Sequence, residues 1–134
     1  MLGEQIGELH GKRTARRVLS ADGGQFKVEV SFEGNGKVLG VDVHEVGTYW
    51  SVSLPGGGLY GEGQGVVLSA NGGAATWKGG GIGKFGEGGA VSYRGAIYFS
   101  TTTPGLVRLN GAAVLFEFDV DVEGNTHSTL WEWK

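Results

Sequence analysis

Glycine constrains this chain more than any other residue type: 28 of its 134 residues are glycine, against an average usage of about 7%. Glycine costs conformational entropy wherever it sits inside a helix or a strand. Glycines and clustered β-branched residues interrupt every stretch long enough for a stable helix, so a helical bundle is a poor fit. Proline is scarce and no period of three runs through the chain, which removes a collagen-like architecture. Hydrophobic residues make up 40%, with 4 Trp, 4 Tyr and 6 Phe, enough to build a packed interior. The glycines must therefore serve a folded protein.

Alternation with a period of two dominates the hydrophobic pattern. Its clearest run is Phe26-Lys27-Val28-Glu29-Val30-Ser31-Phe32-Glu33, apolar at even positions and polar at odd ones. Gly34-Asn35-Gly36 follows, and Asn-Gly between alternating segments predicts a hairpin turn. Further strands are expected over Lys37–Glu45, Thr48–Leu54, Leu59–Ala70, Ala74–Phe85, Ala90–Thr101, Val107–Val122 and Thr126–Lys134, with a first strand between Gly3 and Leu19. The breaks fall at Asp22-Gly23-Gly24, Pro55-Gly56-Gly57-Gly58, Asn71-Gly72-Gly73, Gly86-Glu87-Gly88-Gly89, Thr103-Pro104-Gly105 and Glu123-Gly124-Asn125, each rich in turn-forming residues.

Eight or nine strands, longer than the ~5–6 residues usual in sandwiches and joined mostly by short connections, predict one all-β domain over residues 1–134. The expected architecture is a closed antiparallel up-and-down barrel of about eight strands. Pairing the last strand with the first would remove both exposed edges. Gly61, Gly63 and Gly65 share one face of their strand, as Gly79, Gly81 and Gly83 do on the next. Such rows permit sharp curvature or the close approach of a ring, with Trp77 or a tyrosine expected to lie across them.

Several function classes fall away. A net charge of -3 supplies no basic footprint for nucleic acid. The absence of cysteine excludes disulfides, thiolate metal sites and cysteine nucleophiles. His10, His44 and His127 lie far apart with no His-x-His spacing, so no metal site is expected. Gly81-Ile82-Gly83-Lys84 fails the phosphate-loop pattern, having Lys78 and Phe85 where glycine and Ser or Thr are needed and no helix after it. Asp119-Val120-Asp121-Val122-Glu123-Gly124 begins like a calcium loop, but Leu130 stands where a bidentate carboxylate belongs. No serine sits in a nucleophile elbow, and no cofactor is expected. The N-terminal residues lack the basic and apolar regions of a signal peptide, and no apolar run approaches membrane-helix length. A cytoplasmic location, off the membrane, is the expectation.

Candidate site residues come from the strand faces. Tyr60, Glu62 and Gln64 share the face opposite one glycine row, and Arg94, Arg108 and Asn110 lie on later segments that could meet them across a lumen. Water-facing charge or a structural Arg–Glu pair is the simpler reading of such residues. The functional reading is a pocket whose few polar groups orient a mostly apolar ligand. Trp131 and Trp133 share a face of the last strand and are expected in the core or at an oligomer contact.

Tyr60-Gly61-Glu62-Gly63-Gln64-Gly65, Arg108-Leu109-Asn110-Gly111 and the terminal Glu132-Trp133-Lys134 resemble small bacterial barrels of uncharacterised function, related in fold to allene oxide cyclase. Gly47-Thr48-Tyr49-Trp50 is similar to the Gly-Thr-Trp opening of streptavidin-like barrels, although it falls in mid-chain. The resemblance covers nearly the whole chain. It implies a closed eight-stranded barrel that often oligomerises, and a homo-oligomer, with a dimer favoured, is expected; it implies no activity, because no cyclase residue maps onto a position here. Three functions are carried forward: a lumenal binder of a small, largely apolar molecule, a cofactor-free cyclase or isomerase, and a structural oligomer with a filled barrel.

Overall fold

The computed structural model describes residues 2–134. Eight strands run in sequence order around a closed barrel: β1 (Glu4–Asp22), β2 (Gln25–Val38), β3 (Val41–Ser53), β4 (Leu59–Ser69), β5 (Ala74–Phe85), β6 (Val91–Thr101), β7 (Ala113–Val120) and β8 (Asn125–Trp133). Every neighbouring pair is antiparallel. β8 closes on β1 from Glu4↔Glu132 to Lys12↔Asn125, so the expected closed up-and-down barrel is what forms. β1 then continues beyond that seam to Asp22, paired only with β2.

Three expected boundaries move, one of them the break between Glu45 and Thr48, where β3 runs unbroken through Gly47. Gly34-Asn35-Gly36 is not a turn, because β2 runs straight through it and pairs Asn35 with His10 and with His44. The turn falls at Leu39-Gly40, both with positive φ (52° and 77°), between the paired Val38 and Val41. The two-residue turn with both φ positive suits the right-handed twist of the flanking strands. The expected strand Val107–Val122 is also shorter. Pro104–Leu109 instead forms a short 3-10 helix, whose Leu106 and Leu109 are fully buried and stop the mouth at the β6–β7 end.

Alternation sorts the side chains cleanly. Odd positions of β3, β4, β5 and β6 and even positions of β2, β7 and β8 point inward, giving a core that includes Phe32, Val43, Val67, Trp77, Tyr93, Ile97, Phe118 and Leu130. The glycine rows lie on the inner face. A Cβ at Gly65 would run into the Trp77 indole, and one at Gly83 would meet the Tyr93 ring, so aromatic rings do lie across the row. At Gly79 and Gly81 a Cβ would instead meet the backbone of β6, as expected where a sheet bends sharply into a barrel corner.

Candidate functional site

An eight-stranded barrel is just wide enough for its inward side chains to fill it. Here two rungs of the wall carry none, Gly63 beside Gly79 and Gly61 beside Gly81. They lie between the rings of Trp77 and Tyr93, and a cavity of about 70 Å³ opens against them. The rest of the lining is aromatic and aliphatic, with Tyr49 beside Gly63 and Phe32, Phe116, Phe118 and Leu130 on other strands. Phe118 packs 4.9 Å from Phe32 and edge-on to Tyr49 at 5.8 Å, between ring centroids.

The polar groups of this lumen are few and each is placed. Glu45 is inward-facing on β3 and only 7% exposed. Its Oε2 accepts a 2.8 Å hydrogen bond from Trp77 Nε1. Burial disfavours the carboxylate and pushes the Glu45 pKa up to about 7, against smaller opposing effects of the Trp77 bond and the His44 charge. Deeper toward the β3–β4 end, the hydroxyls of Ser51 and Tyr93 share a buried 2.7 Å hydrogen bond. Burial also raises the pKa of Tyr93. It raises that of Tyr49 further, although Arg13 and Arg16 stand near enough for their charges to oppose the shift. Ser128 adds one more hydroxyl to the lining. No buried side-chain polar atom among the described residues lacks a hydrogen-bond partner. At pH 7 the lumen can therefore present a carboxyl poised between its two forms, phenolic hydroxyls kept neutral, and apolar walls.

Of the candidate site residues singled out from sequence, Glu62 alone borders this cavity, and its side chain is directed outward. Tyr60, Glu62 and Gln64 do share a face, but it is the outer one. Tyr60 Oη donates to Glu62 Oε2 at 2.6 Å in solvent-exposed surroundings. All three border an outer groove with Trp50, Lys78 and Tyr98, where Lys27 Nζ lies 4.5 Å above the Trp50 ring. Arg94 also points outward and pairs with Asp119 at 3.0 Å and Glu117 at 3.5 Å. Arg108 sits on the 3-10 helix and binds Glu132 at 2.6 Å and Glu4 at 2.9 Å. Asn110 lies beyond that helix and serves the backbone of Thr101, accepting from its N–H and donating to its carbonyl. The structure thus brings the first three together on the outside and separates the other three from them and from the lumen. Trp131 is half-buried and Trp133 exposed, both on the outer face rather than in the core.

Glu45 was missed because Gly47 reads as a strand end. If β3 is carried through that glycine, Val43, Glu45, Gly47, Tyr49 and Ser51 fall in one inward register, and a carboxyl among apolar residues becomes the conspicuous member.

No known protein family matches the chain, and no curated protein matches it either. Solved structures do. A protein of unknown function from Clostridium acetobutylicum superimposes with a TM-score of 0.82 at 13% identity, over 96% of this chain and 96% of that one. A β-barrel-like protein from Acinetobacter baumannii gives a TM-score of 0.80 at 11% identity, over 98% of this chain and 94% of its own. An enzyme from Penicillium herquei gives 0.70 at 12% identity, over 95% and 91%. Likeness at this level of identity defines the fold, a small closed β-barrel found in uncharacterised bacterial proteins, and no chemistry.

Proposed function

We propose that the barrel binds a small, largely apolar molecule in its lumen, with Glu45 hydrogen-bonding the ligand's polar group. The observation that carries this reading is the unfilled space against two bare glycine rungs, lined by aromatic rings and reached by one buried carboxyl. Pockets for small molecules combine apolar walls with a few placed polar groups in this way. The size of the space limits the ligand. At about 70 Å³ it is well below the roughly 150 Å³ of a cavity that accepts benzene, so a ring-sized ligand requires the Tyr49 or Tyr93 side chain to swing aside. Native mass spectrometry of the protein purified gently from its own host tests the proposal. Extra mass on each subunit, lost on denaturation and reduced in Glu45→Gln, is the expected result. A clean apo subunit in both proteins would instead favour a filled, structural barrel.

A second reading rests on the same carboxyl. A general acid or base works best with a pKa near the working pH, and burial brings Glu45 there. A cofactor-free isomerase or cyclase would use the lumen to fold its substrate and Glu45 to move a proton. It differs from the binder in one observable: Glu45→Gln would retain ligand while losing turnover.

A further inference from the structure

The three histidines, far apart in sequence, all reach one belt of the barrel's outer surface. On β1 and β8, His10 and His127 are direct cross-strand partners. Their rings stack with centroids 4.3 Å apart and planes within 6° of parallel. Glu8, two residues before His10, projects from the same outer face of β1. Its Oε2 lies 2.7 Å from His127 Nε2 and 3.7 Å from His10 Nε2. Both imidazole edges therefore address one carboxylate oxygen, and ligand atoms of all three residues lie within 4.8 Å of one another.

We propose that Glu8, His10 and His127 form a surface binding site for a divalent transition-metal ion of the zinc class. Two imidazole nitrogens and a carboxylate oxygen are a donor set that zinc accepts, leaving a fourth position for water. Bond lengths of about 2.0–2.2 Å to such ligands place neighbouring donor atoms roughly 3.4 Å apart in a tetrahedron. The present separations of 2.7 and 3.7 Å straddle that value, and the stacked rings must tilt out of parallel to turn both nitrogens onto one ion. The side chains are 50% (Glu8), 69% (His10) and 42% (His127) exposed, which leaves them free to rotate and leaves the fourth position open to solvent. Nitrogen donors favour zinc, nickel or copper over calcium or magnesium, which prefer all-oxygen shells. The next carboxylate along the belt, Asp119, is the cross-strand partner of His127 on β7 but is already paired with Arg94.

His44 supplies an internal control. It lies on the same outer belt, yet its two ring nitrogens are bonded to Asn35 at 2.9 Å and Glu33 at 3.0 Å, with no second imidazole opposite. The test is a zinc titration of the untagged full chain by calorimetry, comparing wild type with His10→Ala, His127→Ala and His44→Ala. One ion per chain is expected, weakened at least about tenfold in each of the first two variants and unchanged in the third. Cobalt(II) added to wild-type protein gives a readout that needs no variant: the ring protons of His10 and His127 should shift or broaden before those of His44. Absence of zinc binding, equal loss in His44→Ala, or cobalt effects spread evenly over the three rings would overturn the assignment.

Discussion

Inside the barrel, the indole Nε1 of Trp77 on β5 donates to the carboxyl of Glu45 on β3, two strands away, at 2.8 Å. One hydrogen bond does not offset the loss of water around a carboxylate, which is why burial dominates and the Glu45 pKa rises to about 7. The native state consequently holds a proton that the unfolded chain, with Glu45 at its usual 4.5, releases between those two values. Stability from this group is fully present below about pH 4.5 and is lost as pH rises through 7. A shift of this size corresponds to about 3 kcal/mol. Thermal unfolding followed from pH 5 to pH 8.5 should show wild type losing stability across that window. Glu45→Gln, which keeps an acceptor for Trp77, should flatten the curve and melt higher than wild type at pH 8.5.

The acid side has the opposite sign. Glu8 and Asp121 have lowered pKa values, chiefly through hydrogen bonds with His127 and Asn125 respectively. Their contribution is present above the unfolded pKa and disappears as pH falls through the folded one. Unfolding below pH 4 should therefore be less steep in Asp121→Asn than in wild type, measured by circular dichroism during acid titration.

The ring of Trp77 lies directly over Gly65 and leaves no room for a Cβ there. Gly65→Ala should destabilise the barrel by about 1–3 kcal/mol through forced displacement of the indole. Gly86→Ala, in a loop where a Cβ meets only ordinary contacts, should stay within about 0.5 kcal/mol of wild type. Urea unfolding of the two variants checks the contrast.

The 3-10 helix should act as a hydrophobic stopper. Leu106→Ala and Leu109→Ala each delete a side chain that is 0% or 1% exposed, for an expected cost of about 2–5 kcal/mol. Val107 between them is 50% exposed, and Val107→Ala should unfold close to wild type in the same urea series.

Much of the fold is legible in the sequence because a period of two survives almost everywhere, and because turns such as Gly23-Gly24 and Gly56-Gly57-Gly58 carry the residues that positive φ demands. The Leu39-Gly40 turn is not legible, since leucine rarely adopts positive φ. Gly34 and Gly36 misled for a related reason. They sit where β1 and β2 cross closely, and a Cβ at Gly36 would meet the Glu8 carbonyl. Glycine was needed there for approach rather than for turning. The lumen was harder. Parity grouped Tyr60, Glu62 and Gln64 correctly, but parity assigns relative faces only, and the glycine row took the inside. Convergence of Glu8, His10 and His127 depends on the β1–β8 register, which no local pattern encodes.

A ligand seated in the lumen beside Trp77 and Glu45 would be reported by the indole resonances of the four tryptophans. Trp77 lines the cavity, whereas Trp50 borders the outer groove and Trp131 and Trp133 lie on the outer face of β8. In a 1H–15N NMR titration with isobutanol and with phenol as probes, the Trp77 indole N–H should shift and saturate with at least one of them. The other three should move little and without saturation. A Trp77 resonance indifferent to both probes, or four indoles shifting alike, would contradict the account and leave a barrel whose interior is only structural.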